Sequence, residues 1–531
     1  MKNTILLMIN LFSLSMFSQT FTRKYQPFFC MCDLSFGNTA PIVQTTDGGY
    51  ILNYFAGSLG ASGNIYRSRL IKTDDSFIPL WEKSLTGYNG KKTLTLSNGN
   101  ILLFQNEGNP TFSDLALEKI DASGQTIWKK IDFASYPISI NIQDATTNPN
   151  NTITLYGYRK ESTLGGRRTS ILINFDFNGT LLNAISIDTS PLKYSIGGIS
   201  NVTKDLNNNL YLMVNGKVYG NDTSNVGSFY IIKMNPSNNI IWSKKVMLPN
   251  PSDYFYDISS SVILNNGDLL IGGSKSNYSS TIPVSLSFIR ITENGNLVWA
   301  KTTNTTNSII SGLEKLPNNE IIASGEIPFN SVHKNLVLKI NENGDVIWSK
   351  KYNNSFNTSQ MFQKSSDDWY YAAYSYNSAN FAYNQPSIFN TDSDGNSSCA
   401  VEDISINLIP ISMTLADITI IVSTLSLQNP ITETTGSIQN ITYFDECLPL
   451  SIPHFEENDN IVLYPNPSNE IINIKSKSNL LKIYVYDTLG KEIFEFIPNQ
   501  LNYSFNINFP GLYNIRVESE MDIKNFKVII K

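Results

Sequence analysis

Ile340-Asn-Glu-Asn-Gly344-Asp-Val-Ile-Trp348-Ser-Lys350 reads as a strand, a tight polar turn and a second strand. Glycine suits the left-handed backbone of such a turn. The same pattern stands at Ile291-Thr-Glu-Asn-Gly295-Asn-Leu-Val-Trp299-Ala-Lys301 and at Ile120-Asp-Ala-Ser-Gly124-Gln-Thr-Ile-Trp128-Lys-Lys130. Met234 to Lys244 keeps Trp242 and puts Asn238 where the others have glycine. Ile71 to Lys83 keeps Trp81 behind a longer turn. Phe175 to Ala184 keeps Gly179 but has no tryptophan, and Thr391 to Ser398 keeps Asp394-Gly395 and then departs.

A second polar turn, followed by an apolar strand, precedes each copy. These turns begin at Asp47, Asn98, Asn150, Asn207, Asn266, Asn318 and Asp367, in steps of 49 to 59 residues. The chain therefore holds seven units of two hairpins each. Four strands at this period mark a propeller blade, similar in length to kelch and WD40 repeats. A lone four-stranded sheet has two faces to cover, and stacking blades around an axis covers both. No unit shows the 3.6-residue period of a helical solenoid. The expected fold is all-β, a seven-bladed β-propeller over residues 20–399. Trp81, Trp128, Trp242, Trp299 and Trp348 recur in register, so they are expected to pack between blades. Trp369 is out of register.

The seventh unit lacks the Trp-x-Lys strand. Phe21-Thr-Arg-Lys24-Tyr25-Gln26 matches Trp348-Ser-Lys-Lys351-Tyr352-Asn353 position for position. The N-terminus is therefore expected to supply the outermost strand of the last blade, removing an open edge.

Of the 531 residues 41% are hydrophobic and only 16% charged, with a net charge of −6. The pairs Lys91-Lys92 and Arg167-Arg168 are isolated, so no basic patch for nucleic acid is expected. Residues 1–19 resemble a secretory signal peptide. Lys2 precedes an apolar run from Ile5 to Phe17, too short to span a bilayer. No later segment is expected to span. An exported chain permits disulfides among Cys30, Cys32, Cys399 and Cys447, and the sequence does not choose a pairing.

Residues 400–448 carry no copy of the repeat and are expected to form one or two hairpins. Residues 449–460 read as a linker. Residues 461–531 alternate short strands and turns, as a small sandwich would. Their motifs are Leu463-Tyr464-Pro465-Asn466-Pro467, Val485-Tyr486-Asp487-Thr-Leu-Gly490-Lys491, Pro510-Gly511-Leu-Tyr513 and a chain end at Lys531. In that order they resemble the type A C-terminal sorting domain of the type IX (Por) secretion system. The resemblance implies an immunoglobulin-like sandwich and export to the outside of a Gram-negative cell. It also implies dealings with the secretion machinery and removal of the tail by a sortase-like peptidase. The body is then released or attached at the surface.

No HExxH, GxSxG, phosphate loop or dinucleotide fingerprint occurs. Thr391-Asp392-Ser-Asp394-Gly-Asn396 is similar to the start of a calcium loop, but it fills the ordinary turn of the repeat and lacks the later carboxylate. No cofactor is therefore expected. His333 is read as a surface loop residue. The preferred reading is a monomeric binding or adhesion module for an extracellular glycan or protein. The alternative is an extracellular hydrolase or lyase.

Overall fold

The computed structural model describes residues 22–26, 34–35, 42–446 and 461–531, except 61–62, 86–87, 110–111, 132–137, 162–166, 189–197, 217–228, 251–252, 278–284, 304–307, 330–331, 353–360, 365–369, 377–384, 398–400, 428–429, 434–437, 440, 488–490 and 521–522. The expected signal peptide, the linker 449–460, Trp369 and all four cysteines lie outside the described residues. Contacts divide the chain into two compact units, residues 1–448 and 449–531.

Among the described residues the first unit holds seven antiparallel sheets, each packed against the next in a ring. Blade 6 shows the pattern: Ile309–Lys315, Ile321–Phe329, Val332–Ile340 and Val346–Tyr352 pair in chain order. His333 thus lies within a strand, opposite Pro328, and not in a loop. Blades 1 to 5 precede it in chain order, their fourth strands being Pro79–Ser84, Thr126–Ile131, Leu181–Asp188, Ile240–Met247 and Leu297–Thr303. Blade 7 takes Met361–Gln363, Tyr370–Tyr376 and Gln385–Thr391 from the end of the repeat. Its fourth strand is Thr22–Gln26, which pairs antiparallel with Gln385–Thr391.

The inner strands are buried in continuous runs, as in Leu210–Asn215 with five successive buried residues, and successive side chains point to opposite sides, so each blade offers a hydrophobic surface on both faces. Among the described residues these surfaces merge into seven clusters in the ring, one at each blade-to-blade interface. The circle closes where Tyr25 and Ile388 of blade 7 meet Tyr50 and Leu52 of blade 1. There Tyr25 Oη donates to the Phe77 carbonyl at 2.8 Å and Arg23 Nη1 to the Ser76 carbonyl at 2.8 Å.

Residues 401–446 do not form the expected hairpins. They run around the rim as a belt, adding one short strand to every blade. Val401–Asp403 pairs with blade 6, Leu408–Pro410 with blade 5, Thr414–Asp417 with blade 4 and Ile421–Thr424 with blade 3. Ile431–Glu433 then pairs with blade 2 and Ile438–Gln439 with blade 1. Last, Thr442–Glu446 pairs with Thr22–Gln26 in blade 7. The N-terminal strand is therefore fourth of five in its blade, not outermost.

The belt is built on a seven-residue step. The amides of Ile404, Ile411, Ile418 and Leu425 donate to the carbonyls of Ser349, Ala300, Ser243 and Ala184 in successive blades. Between the strands Ile406, Met413, Ile420 and Leu427 drop into successive blade interfaces. Acidic residues of the belt face the lysines of the blade edge: Asp403 lies 2.6 Å from Lys350 and Asp417 2.7 Å from Lys244. Hairpins would have left these edges unpaired, and edge strands without a partner invite misassociation.

In the second unit the expected alternation of short strands and turns gives way to one long strand, Ile471–Tyr486. Its first half pairs with Ile461–Tyr464 and Gln500–Asn506. Its second half pairs with Glu492–Phe496 and Gly511–Ser519. Ile523–Ile530 pairs with Gly511–Ser519 at the edge. Apolar residues from both halves, among them Leu463, Ile474, Val485, Ile515 and Val528, share one core.

Candidate functional site

The turn between the third and fourth strand of each blade is held by a side chain at its first position. Asp121 Oδ1 accepts from the amides of Ser123 and Gln125, both at 2.9 Å. Asn341 does the same for Asn343 and Asp345. Asp392 uses its carboxylate in this way toward Asp394 and Asn396. Local side-chain acceptors of this kind stabilise the turn itself. The segment that looked similar to a calcium loop therefore has the geometry of its six sister turns.

The repeated Trp-x-Lys places both side chains on one strand face, aimed at the turn of the next blade. A Cβ on Gly179 would stand 2.6 Å from the Trp128 ring, and one on Gly344 2.8 Å from Trp299. Trp81 faces Gly124, Trp242 faces Gly295 and Trp348 faces Gly395 in the same way. Trp81, Trp242 and Trp299 donate from Nε1 to the carbonyls of Ala122, Glu293 and Glu342 at 3.0 to 3.2 Å. Lys83, Lys130 and Lys301 reach the carbonyls of Gly124, Gly179 and Gly344. A third repeated residue, a cation on the third strand, stands cross-strand from each tryptophan. The pairs are Lys72 with Trp81, Lys119 with Trp128, Lys233 with Trp242, Arg290 with Trp299 and Lys339 with Trp348.

Blade 3 breaks this scheme at all three positions. Asn174 replaces the cation, Asn183 the tryptophan and Ile185 the lysine, with Asn174 paired to Asn183 across the strands. Opposite them blade 4 offers Asn238, at φ 63°, where five other interfaces have glycine and the one between blades 7 and 1 has Phe77. The result is a cleft of about 290 Å³ between blades 3 and 4. Its floor is polar and buried: Thr154 is 4% and Asn174 8% exposed. Thr154 Oγ1 donates to Asn174 Oδ1 at 2.6 Å, and Asn174 Nδ2 donates to Asn183 Oδ1 at 2.7 Å. Asn148 Nδ2 donates to Thr152 and Thr154 hydroxyls, and Asn148 Oδ1 accepts from Lys204 Nζ at 2.7 Å. Burial lowers the Lys204 ammonium to about 8. Leu182 and two prolines, Pro149 and Pro236, form an apolar lip.

A larger opening of about 640 Å³ lies on the rim between Gly344–Ser349 and the belt. It is shallow and follows a strand edge present in every blade, so the cleft at the broken repeat is the better candidate. The sequence displayed the missing tryptophan at Phe175–Ala184. It did not show that Asn174, Asn183 and Asn238 converge, because they come from two strands of one blade and a turn of the next.

In the second unit Asn466 lies against the last strand. Its Nδ2 donates to the Lys527 carbonyl at 2.7 Å and its Oδ1 accepts from the Ile529 amide at 3.0 Å. Ser468 N donates to the Ile529 carbonyl and Lys531 N to the Ser468 carbonyl. The peptide bonds before Pro465 and Pro467 are both cis, and Tyr464 is exposed. Asp487 closes a turn by accepting from the Lys491 amide at 2.9 Å, while Gly490 is outside the described residues. Gly511 opens the strand Gly511–Ser519, and Tyr513, buried in the core, donates to the Phe509 carbonyl at 2.9 Å. The sorting motifs thus hold the carboxyl-terminal strand in place.

Among the described residues no helix is long and apolar enough to cross a membrane, and no group of three or more His, Cys, Asp or Glu could hold a metal ion. No curated protein matches the chain. Among solved structures, the polysaccharide lyase Uly1 is 9% identical, with a TM-score of 0.45 over 67% of this chain and 90% of its own. A protein of unknown function from Dyadobacter fermentans is 9% identical, with a TM-score of 0.37 over 69% and 97%. The Dos1 propeller is 12% identical, with a TM-score of 0.35 over 83% and 92%. Residues 462–531 match the family described as the secretion system C-terminal sorting domain. The chain is thus a β-propeller body joined to a type IX sorting tail, which sends it to the cell surface or the extracellular space.

Proposed function

We propose that the exported body is a binding module and not a depolymerising enzyme. The observation that supports this is the lining of the cleft beside blade 3, which has lost all three repeated residues. It consists of carboxamides, hydroxyls, leucine and proline. Glycan cleavage ordinarily uses a pair of carboxyl groups, one poised to give and one to take a proton or to attack. The cleft offers neither. It offers fixed donors and acceptors on a rigid ring, which suits recognition. The sorting tail engages the secretion machinery, and we place its removal by a sortase-like peptidase in the segment 449–460.

The test uses residues 20–531 against arrays of glycans and surface proteins, followed by size analysis of any polysaccharide retained. Binding with polymer length unchanged is expected. Shortening of the polymer, or failure to retain any ligand, overturns the reading.

A further inference from the structure

We propose that the cleft between blades 3 and 4 takes one pyranose unit of an uncharged glycan. This rests on the body being a binding module and names the ligand class of that same site.

Three observations converge. The first is hydrogen-bonding capacity. Asn183 Nδ2 and the side-chain amides of Asn208 and Asn238 line the cleft and make no hydrogen bond to the protein among the described residues. Each carboxamide presents a donor and an acceptor side by side. Neighbouring sugar hydroxyls need that pairing, since each also donates and accepts. The second is preorganisation. Asn174 and Thr154 fix the floor through each other and through Asn183, so little freedom is lost on binding.

The third is charge. No residue lining the cleft ionises. The nearest ammonium, Lys204, is already committed to the Thr147 carbonyl and to Asn148 Oδ1. A sulfate or uronate would lose water and find no opposite charge, which is unfavourable. A neutral ring avoids that loss, and its C–H face can lie on Leu182, which is 50% exposed. The volume of about 290 Å³ is at the small end of ligand sites, roughly 300–1,000 Å³, and suits one ring. An extended peptide has the same kinds of polar group, but it needs a long groove or a free strand edge.

The decisive variant restores the repeat. Asn183→Trp with Asn238→Gly recreates the ring-on-glycine contact found at five other interfaces and fills the cleft. The probes are an array of neutral, uronate-containing and sulfated glycans and short peptides, then titration of residues 20–531 with the methyl glycoside of the best neutral sugar. The expected result is neutral-sugar binding by the parent chain. The filled variant should lose at least about tenfold in affinity, about 1.4 kcal/mol, with an equal or higher Tm. Asn208→Gly, which removes the carboxamide and suits the left-handed backbone at φ 61°, should weaken binding with little change in Tm, which keeps the test open if the double variant misfolds. Neutral-sugar binding unaltered in both variants overturns the site but leaves a binding function standing. Selection of only charged glycans or only peptides overturns the ligand class. Polymer cleavage by the parent chain instead overturns the function on which the proposal rests.

Discussion

Gly179 and Asn238 occupy the same turn position in successive blades and meet opposite surroundings. Gly179, at φ 72°, lies under the Trp128 ring. Asn238 lies opposite Asn183 and has room for its side chain. Gly179→Ala would combine a left-handed backbone with a Cβ at 2.6 Å from the ring. It should cost about 1–3 kcal/mol by chemical denaturation, while Asn238→Ala should cost less. Equal costs would contradict the packing scheme. Lys204 gives a pH signature. Its ammonium falls from 10.5 to about 8 because it is buried. The unfolded chain holds this proton to higher pH, so unfolding takes up a proton in the interval between. Stability from this group should therefore rise between pH 8 and 10.5, and Lys204→Met should abolish that rise. Urea titrations of both proteins across this range check it; identical pH trends would refute it.

The strand Thr22–Gln26 and the belt join the blades non-covalently at the level of elements. Removing residues 20–26 takes out a central strand of blade 7 and should lower the Tm of the body by many degrees. An unchanged Tm would contradict the closure. Leu425, 9% exposed, plugs the interface between blades 2 and 3. Leu425→Ala should cost about 2–4 kcal/mol, measured by urea unfolding. The N-terminal strand was legible because Arg23 and Tyr25 repeat Lys350 and Tyr352, and their contacts repeat too: Tyr25 Oη reaches the Phe77 carbonyl as Tyr352 Oη reaches that of Gly395. The belt carried a signal that strand-and-turn reading does not look for. Ile404, Ile411, Ile418 and Leu425 stand seven apart, each followed two residues later by Ile406, Met413, Ile420 and Leu427. The step of seven is the length of extended chain needed to pass from one blade edge to the next. That distance exists only once the ring is built.

At the scale of the whole molecule, the repeat fixes the ring, and the blade that has lost cation, tryptophan and lysine together marks the candidate site. The sorting tail has its own core and its own terminal clamp at Asn466. Deleting residues 462–531 should leave the body inside the cell envelope, scored by fractionation; release into the medium would contradict the role of the tail. The position of the cleft was half legible. The lost tryptophan and the lost lysine at Ile185 stood in the sequence, but the companion loss at Asn174 gains meaning only when cross-strand neighbours are known. The most direct measurement is an experimental electron-density map of the body. The account predicts seven sheets in a closed circle. Thr22–Gln26 should lie inside the last blade, and residues 401–446 should add one strand to each blade in the order 6, 5, 4, 3, 2, 1, 7. A different number of sheets, or residues 401–446 folded back as hairpins on one blade, would contradict it.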